Sequence, residues 1–285
     1  MENLRGIQNK VNRISLYSKY LSNPAQKNLM EVFDAILNRR TTNSAFIDKP
    51  VSDEHINTLV KMASYAPSHF NSQPWRFIIV EDKNIIGEIA KIAGDSMVQL
   101  MDDGRFWKQY RKYFRFDDEE VDKSSDGIHI DHMPAFLKPF AKQIFSETGG
   151  KIISKFRVSR ILGNDEEKLV AGSPILFVIA LTKDEYKKEE LSGLYSVISM
   201  GAVIQNLWLS TTALGMGMQF ISTPGEIPEN WNKIIEMLEI PDSYEMMAIF
   251  RMGYVDKDMK RPTIDWKSSQ RKSPEELSFR NKWRQ

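Results

Sequence analysis

Two adjacent arginines and a threonine, Arg39, Arg40 and Thr41, are the first residues along the chain whose types suit a defined chemistry. Guanidinium groups bind phosphate in bidentate fashion, and a hydroxyl group with free backbone groups at a helix end adds further donors. The same pair of arginines can instead complement the dipole at the carboxyl end of a helix. Taken alone, the motif leaves both interpretations open.

A second candidate is the segment YAPSHFNSQPW, residues 65 to 75, which crowds polar side chains between two prolines. Its hydrogen-bonding residues are Ser68, His69, Asn71, Ser72 and Gln73. Short donors and acceptors of this kind can form a rim around a planar heterocycle while Pro67 lies against one of its faces. A well-capped turn explains each residue singly. The complete string is more specific and favours a binding site.

Two other clusters of polar residues are weaker candidates for a functional site. The pattern His129-Ile-Asp131-His132 contains metal-ligand types, but its spacing matches no defined metal site. The acidic run from Asp117 to Asp122 lacks the alternating Asx and Gly of a calcium loop and is typical of a solvated face. We therefore expect no metal, and we assign no catalytic side chain.

Helical and extended elements surround both candidate motifs. Apolar residues at helical spacing predict a helix that leads straight into Arg39: Leu29, Val32, Phe33, Ile36 and Leu37. Ser52 is placed to cap a second helix that Pro67 stops. Residues 75 to 80 read as a strand, and isoleucines from 85 to 92 indicate another helix that closes near Gly94.

The second half of the chain alternates further strands and helices. The apolar run from 174 to 181 fits a buried strand. A long helix is predicted from Ser192 to Leu214, ended by Gly215, and Gly201 and Ala202 on one of its faces allow another backbone to approach closely. A strand near 218 to 221, a helix near 231 to 238 and a strand from 245 to 254 follow. Because these elements do not alternate regularly, the fold class is α+β.

Domain organisation follows from changes in composition. We expect a helical extension over 1–28, a main domain over 29–262 and an arm over 263–285, with an insert at about 97–168. Within the insert, the aromatic residues from Phe106 to Phe114 can form a lid or substrate wall, or can pack as the core of an inserted helix.

The composition excludes several classes of function. The 39 Lys and Arg residues balance 38 Asp and Glu residues, so no global field attracts nucleic acid or anionic lipid. The chain has no cysteine, which excludes disulfides, thiol nucleophiles and thiolate metal sites. Neither a signal-peptide core nor a run of ~18 apolar residues is found, so the sequence predicts a cytoplasmic protein with no membrane or nucleic-acid partner.

The sequence resembles the nitroreductase-like flavoproteins. The resemblance lies in RRTTNSAFIDKPVSDEHINTLVKMASYAPSHFNSQPWRFIIVED from residue 39, SMGAVIQNLWLSTTALGMG from residue 199 and FRMGYVDKDMKRP from residue 250. It covers about residues 30–95 and 170–262 and leaves the first 28 residues and much of 97–168 without a counterpart.

The resemblance implies a three-layer α/β/α sandwich with a mainly antiparallel sheet, in an intertwined homodimer that holds one FMN in each of two sites at the subunit boundary. It assigns the phosphate and ribityl chain to Arg39, Arg40, Thr41, Arg261 and Lys260, with Thr41 where the family usually has serine. It assigns the isoalloxazine to Pro67 and Ser68 of the partner, to Asn71, and to the backbone of Gly215, Met216 and Gly217. From the polar string itself, Gln73 is a further candidate for contacts with the ring or sugar.

The implied activity is an FMN-dependent oxidoreductase that takes hydride from NADH or NADPH and reduces small conjugated molecules such as nitroaromatics or quinones by ping-pong kinetics. Two alternatives stay open. One is a specialised flavoenzyme of the same fold that performs dehalogenation or flavin fragmentation. The other is a flavin carrier or sensor without catalysis.

Overall fold

The computed structural model describes residues 32–124, 126–130, 158–256, 266–267 and 271–283. Its helices are α1 (Val32–Asn38), α2 (Asp53–Ser64), α3 (Lys83–Asp102), α4 (Arg105–Tyr110), α5 (Asp118–Ser124), α6 (Val158–Ala171), α7 (Leu191–Ala213), α8 (Pro228–Met237) and α9 (Pro274–Leu277). Its strands are β1 (Trp75–Val80), β2 (Phe114–Arg115), β3 (Ile128–Ile130), β4 (Ile175–Thr182), β5 (Met216–Phe220), β6 (Tyr244–Tyr254) and β7 (Trp266–Lys267).

The central sheet has four strands in the order β1-β4-β6-β5, and every neighbouring pair is antiparallel. A second, three-stranded sheet has the order β2-β3-β7. Strand β4 is buried along seven of its eight residues, as its unbroken apolar run predicts. The predicted α+β class and the mainly antiparallel sheet are confirmed.

Alternate residues of strand β4 divide the core into two layers. Phe177 and Ile179 pack with Leu59 of α2 and with the buried side of α7, which includes Val203 and Leu207. Leu176 and Val178 point the other way and pack with helix residues such as Ile89 of α3, Val170 of α6 and Ile234 of α8. Because side chains of a strand alternate between faces, one apolar strand supplies both layers. The result is the predicted three-layer sandwich.

Helix α3 is longer than the sequence predicted. The expected end at Gly94 is wrong, because the helix continues to Asp102. Gly94 is buried inside it, where its carbonyl lies against Gly163 of α6. This glycine marks a close crossing of two helices rather than a helix end.

Two apolar helix faces lie on the surface of the chain. On α1, Phe33 is 75% exposed and Leu37 is 70% exposed. On α7, Leu194 is 53% exposed and Ile198 is 61% exposed, while the residues buried within the chain are Gly193, Ser196, Ser199, Val203, Leu207 and Thr211. A Cβ built at Gly201 meets no atom within 4 Å, so no element among the described residues uses the predicted close-approach face. A search of the described helices found none that is both long and apolar enough to span a bilayer.

Candidate functional site

The Arg39–Thr42 segment lies beside the start of strand β5. Helix α1 ends at Asn38, so the arginine pair follows a helix end as predicted. Thr41 then forms a parallel bridge with Met218, and the Thr42 amide donates to the Met218 carbonyl at 3.1 Å. The tertiary structure therefore joins two candidate segments that are about 175 residues apart in the chain.

The glycines around Met216 serve different purposes. Gly215 follows helix α7 with a φ of 67°, a left-handed conformation that favours glycine, and no atom lies within 4 Å of its would-be Cβ. A Cβ at Gly217 would lie 2.0 Å from Thr42 Oγ1. Gly215 thus leaves open space beside its backbone, whereas Gly217 lets the Arg39–Thr42 segment approach the strand.

The two adjacent arginines have different contacts. Arg40 Nη1 donates to the carbonyls of Leu37 and Arg39, at 2.7 and 2.8 Å, so it caps the end of helix α1. Arg39 places its guanidinium carbon 5.2 Å from the Trp208 ring centroid. Partial burial, the nearby Arg271 and then Arg40 lower the Arg39 pKa. Three cations near one another, one of them partly desolvated, favour an anionic ligand.

The loop from Pro67 to Pro74 is held by its own polar residues. Ser68 Oγ accepts from the Gln73 amide at 3.0 Å, and Gln73 Nε2 donates to Asn71 Oδ1 at 3.3 Å. Phe70, Asn71 and Gln73 all adopt positive φ, at 47°, 57° and 47°. Such conformations cost free energy for residues other than glycine, and they concentrate at ligand sites. Turn chemistry therefore accounts for part of this string, while the strained backbone goes beyond what an ordinary turn requires.

A cleft of about 250 Å³ opens where this loop meets the outer side of helix α7. It is lined by Pro67, Ser68, His69, Tyr195, Ile198, Ser199 and Ala202. The His69 ring stacks on the Tyr195 ring, with centroids 4.3 Å apart and an interplanar angle of 19°. Pro67 and Ser68 are thereby presented on the same exposed face as Ile198.

The cleft and the Gly215 backbone lie at different positions along α7. Ile198 lies near the start of α7, and Gly215 lies just beyond its end. At 1.5 Å per residue, the two positions are about 25 Å apart along the helix axis.

Lys260 and Arg261, the other predicted phosphate-binding residues, lie outside the described residues. Arg271 is the described cation from the carboxyl-terminal part of the chain that acts on Arg39. The sequence prediction did not include it, since a single arginine in a polar segment carries no distinguishing signal.

The sequence prediction also missed a polar network in which Arg251 Nε donates to Gln219 Oε1 at 2.6 Å and Gln219 Nε2 donates to Asn43 Oδ1 at 3.2 Å. Arg251 is only 1% exposed, and desolvation lowers its pKa to about 10 although Glu166 opposes the shift. Its signal in the sequence is an arginine within the apolar strand segment MMAIFRMGY. A buried guanidinium must be fully hydrogen-bonded, so it marks a polar network inside the core.

The remaining candidates are structural. His129 Nε2 is 3.6 Å from Asp118 Oδ1, while Asp131 and His132 lie outside the described residues. Of the two alternatives for the aromatic residues of the insert, the structure shows core packing, since Trp107 and Phe114 are buried in one cluster with Met101. Near that cluster, a cleft of about 380 Å³ is lined by Lys108, Gln109, Tyr110, Lys112, Tyr113 and Glu226.

Comparison with known proteins gives the family. The model of the Nitroreductase family matches residues 36–254, which include the central sheet and the Arg39–Thr42 segment. The chain therefore belongs to the nitroreductase family, as the sequence motifs predicted.

Individual relatives agree with this assignment. The 4-nitrobenzoate reductase of Pseudomonas putida is 24% identical over 239 residues, which cover 81% of this chain and 88% of that enzyme. The iodotyrosine deiodinase of Thermotoga neapolitana is 39% identical over 62 residues, which cover 22% of this chain and only 33% of that enzyme. The NADPH:FMN oxidoreductase from Vibrio harveyi, solved with NAD+, superposes with a TM-score of 0.54 at 14% identity and covers 89% of this chain and 78% of that chain.

Proposed function

We propose that this nitroreductase-family oxidoreductase binds FMN, takes hydride from NADH or NADPH, and reduces small conjugated acceptors such as nitroaromatics or quinones. The observation that carries the proposal is the contact of the Arg39–Thr42 segment with strand β5, directly after the open backbone at Gly215. A cationic end and an open backbone edge lie side by side there, which suits a ligand with a phosphate at one end and a flat ring at the other.

The chemistry of these residues fits FMN. A phosphate dianion needs about two cations, and Arg39 with Arg271 supplies them beside the Thr41 hydroxyl. The left-handed Gly215 leaves room for a ring to approach the backbone after helix α7. When bound, FMN supplies the hydride transfer, and the protein supplies binding, orientation and exclusion of water.

Each candidate group then has a definite task. Arg39 neutralises the phosphate, while Arg40 holds the helix end that positions it. The Gly215–Gly217 backbone borders one edge of the ring. Pro67 and Ser68 would enclose the ring from the partner subunit, because within one chain their cleft borders the first half of α7 whereas Gly215 follows its end. Flat conjugated acceptors would need little side-chain recognition at such a site.

The active unit in this proposal is a homodimer whose subunits meet across helix α7. The exposed stripe of Leu194, Val197 and Ile198 offers apolar surface that a monomer leaves in water. Gly201 lies on the same side with open space around it, so a second helix backbone can approach closely. A second copy of the chain is the occupant that also brings Pro67 and Ser68 to the Arg39 cluster.

Similarity to relatives supports the redox part of the proposal. The 4-nitrobenzoate reductase aligns over most of its length. The Vibrio harveyi enzyme, an NADPH:FMN oxidoreductase by name, shares the fold.

The absorption spectrum of the purified protein tests the proposal most directly. We expect a yellow protein, or a colourless one that takes up FMN with saturation, and bleaching of the flavin on addition of NADH or NADPH under nitrogen. Protein that takes up no FMN at all would falsify the proposed function. Bound flavin that is reduced no faster than free flavin, measured by stopped flow, would instead identify a carrier or sensor.

Local likeness to the iodotyrosine deiodinase favours a second candidate, reductive dehalogenation of a small aromatic substrate. Turnover of a panel of nitroaromatics, compared with release of iodide from 3-iodo-L-tyrosine, separates the two activities. Fast reduction of many nitroaromatics supports the reductase. Slow reduction of all of them with rapid iodide release supports the dehalogenase.

A further inference from the structure

Helix α4 and the turn after strand β5 enclose a cleft of their own. It has a volume of about 380 Å³ and is lined by Lys108, Gln109, Tyr110, Lys112, Tyr113 and Glu226. Five of these residues lie close together in the chain at the end of α4, whereas Glu226 ends the short helical turn Thr223–Glu226, 116 residues beyond Tyr110. The volume falls within the range of small-ligand sites in proteins.

The floor of this cleft is preformed. The Tyr110 hydroxyl donates to Glu226 Oε1 at 2.5 Å, and Arg105 Nη1 donates to the Glu226 carbonyl at 3.1 Å. Arg105 is itself held by Asp103, which accepts from Arg105 Nε at 2.7 Å. Because both bonds to Glu226 join helix α4 to the turn, the walls of the cleft are in place before a ligand binds, and binding costs little ordering entropy.

Glu226 has an unused acceptor at this floor. Its Oε1 atom accepts from Tyr110, whereas its Oε2 atom is buried and has no hydrogen-bond partner among the residues that the structure describes. Buried polar atoms nearly always have a partner, and one left without a partner costs free energy. A carboxylate only accepts, so the group that completes this site is a donor such as a hydroxyl group.

The rim of the cleft carries positive charge and an aromatic face. Lys108 and Lys112 are both exposed, and neither forms an ion pair with a described residue. Lys112 Nζ lies 5.0 Å from the centroid of the Tyr113 ring, and Tyr113 is 49% exposed. Two ammonium groups suit a phosphate, and an exposed ring suits the face of a flat heterocycle.

We propose that this cleft binds a nucleoside monophosphate, with the phosphate on the two lysines, the base on the Tyr113 ring and a ribose hydroxyl group donating to Glu226. A second or third phosphate would add negative charge without a further cation among the residues that line the cleft. The cleft shares no residue with the proposed FMN site. The Thr223 hydroxyl of its turn donates to a carbonyl of α3, on the opposite side of the sheet from α2 and α7, so the proposal does not depend on FMN binding.

Calorimetric titration of 5′-AMP into protein saturated with FMN tests the proposal, because FMN then fills the other phosphate site. If the protein takes up no FMN, the same titration uses the protein alone. We expect saturable binding that Lys108→Ala and Lys112→Ala each weaken roughly three- to tenfold. Lys91→Ala, at an exposed position of helix α3, is the matched control and should bind 5′-AMP as the wild type does.

The substitution Glu226→Gln tests the hydroxyl contact. It keeps an acceptor for the Tyr110 hydroxyl but puts an amino group in the place of Oε2, so the acceptor for the ribose is lost. We expect it to weaken binding of 5′-AMP roughly three- to tenfold and to change binding of the 2′,3′-dideoxy nucleotide by less than about twofold. Equal losses for the two nucleotides would overturn the contact between Glu226 and the ribose.

A free nucleotide and the AMP half of NADH share this chemistry. A Lys108→Ala enzyme with a raised KM for NADH and an unchanged kcat supports the dinucleotide as the ligand, whereas unchanged NADH kinetics with weakened 5′-AMP binding support a free nucleotide. Absence of saturable 5′-AMP binding overturns the proposal, as does binding that both lysine substitutions leave within about twofold of the wild type. Inorganic phosphate that binds as tightly as 5′-AMP also overturns it, because the base and ribose then contribute nothing.

Discussion

Gly94 and Gly163 meet where helices α3 and α6 cross. A Cβ built on either glycine would lie 2.8 Å from the carbonyl oxygen of the other. Both helices pack through residues such as Ile89 and Val170 onto the same side of the sheet as Leu176. The crossing therefore depends on the absence of side chains at these two positions, because backbone atoms cannot move aside as a flexible side chain can.

Substitution at this crossing should destabilise the protein. Gly94→Ala forces the helices apart, and we expect a loss of about 1–3 kcal/mol in the free energy of unfolding. Gly87 is the matched control, since it lies in the same helix with no atom within 4 Å of its would-be Cβ. Gly87→Ala should stabilise by about 0.5–1 kcal/mol through helix propensity. Urea unfolding at 25 °C measures both, and equal effects of the two changes would contradict the close crossing.

Removal of the partly buried arginine should weaken cofactor retention. Arg39→Ala loses a charge-assisted bond to the phosphate, and we expect FMN binding to weaken by roughly 1.5–3 kcal/mol with folding largely intact. Arg160→Ala, at an exposed position of helix α6, serves as the control. Equilibrium dialysis of FMN against both variants gives the comparison. An FMN affinity that Arg39→Ala leaves unchanged would show that this arginine only complements the end of helix α1.

A charge on the exposed face of α7 should separate the subunits. Ile198 is 61% exposed within one chain, and Ile198→Asp places a carboxylate in the proposed dimer contact. We expect sedimentation velocity to show a monomer that has also lost FMN, because Pro67 and Ser68 of the partner are then missing from the site. Ile161, which is 57% exposed on α6, provides the control substitution Ile161→Asp, and this variant should remain a dimer. A dimeric Ile198→Asp protein with normal FMN content would place the interface elsewhere.

Alkaline pH should act on the protein partly through Tyr110. Its hydroxyl donates to Glu226 Oε1 at 2.5 Å, and burial, followed by this hydrogen bond, raises the pKa of Tyr110 from 10.0 to about 12. The folded protein thus holds this proton more tightly than the unfolded chain does. The stabilising contribution is complete below pH 10 and is lost as the pH rises to about 12.

The variant Tyr110→Phe isolates this effect. It should be less stable than the wild type near neutral pH and should lose stability less steeply between pH 10 and about 12, as measured by urea midpoints across that range. Tyr65→Phe, at a position that is 60% exposed, is the matched control for the loss of a tyrosine hydroxyl. Parallel profiles for wild type and Tyr110→Phe would show that the Glu226 contact does not persist in solution.

Local signals in the sequence were sufficient for most elements of the fold. The strand from Trp75 to Val80 has its predicted limits, and the long helix α7 differs from its predicted range by one residue at each end. Ser52 caps helix α2 by accepting from the His55 amide at 3.3 Å. Such features depend on near neighbours in the chain, and periodicity and capping report on near neighbours directly.

Gly94 shows where this local information ends. Within a helical pattern a glycine is compatible with a helix end or with a close crossing, and only the position of Gly163 distinguishes them. The exposed stripe of α7 has the same ambiguity, because periodicity shows that residues share a face but not what covers that face.

By itself, the sequence determined the fold class, the family and the arginine-rich and proline-framed motifs, because each of these depends on residue types at short spacing along the chain. Only the tertiary structure decided that the segment after Arg39 meets strand β5 through Thr41 and Met218, and that Arg251 donates to the carbonyl of Thr42 from the core of the sheet. Contacts between residues so far apart in the chain are set by the register of strands and the crossing of helices, and no local pattern encodes which of many possible partners a side chain finally reaches.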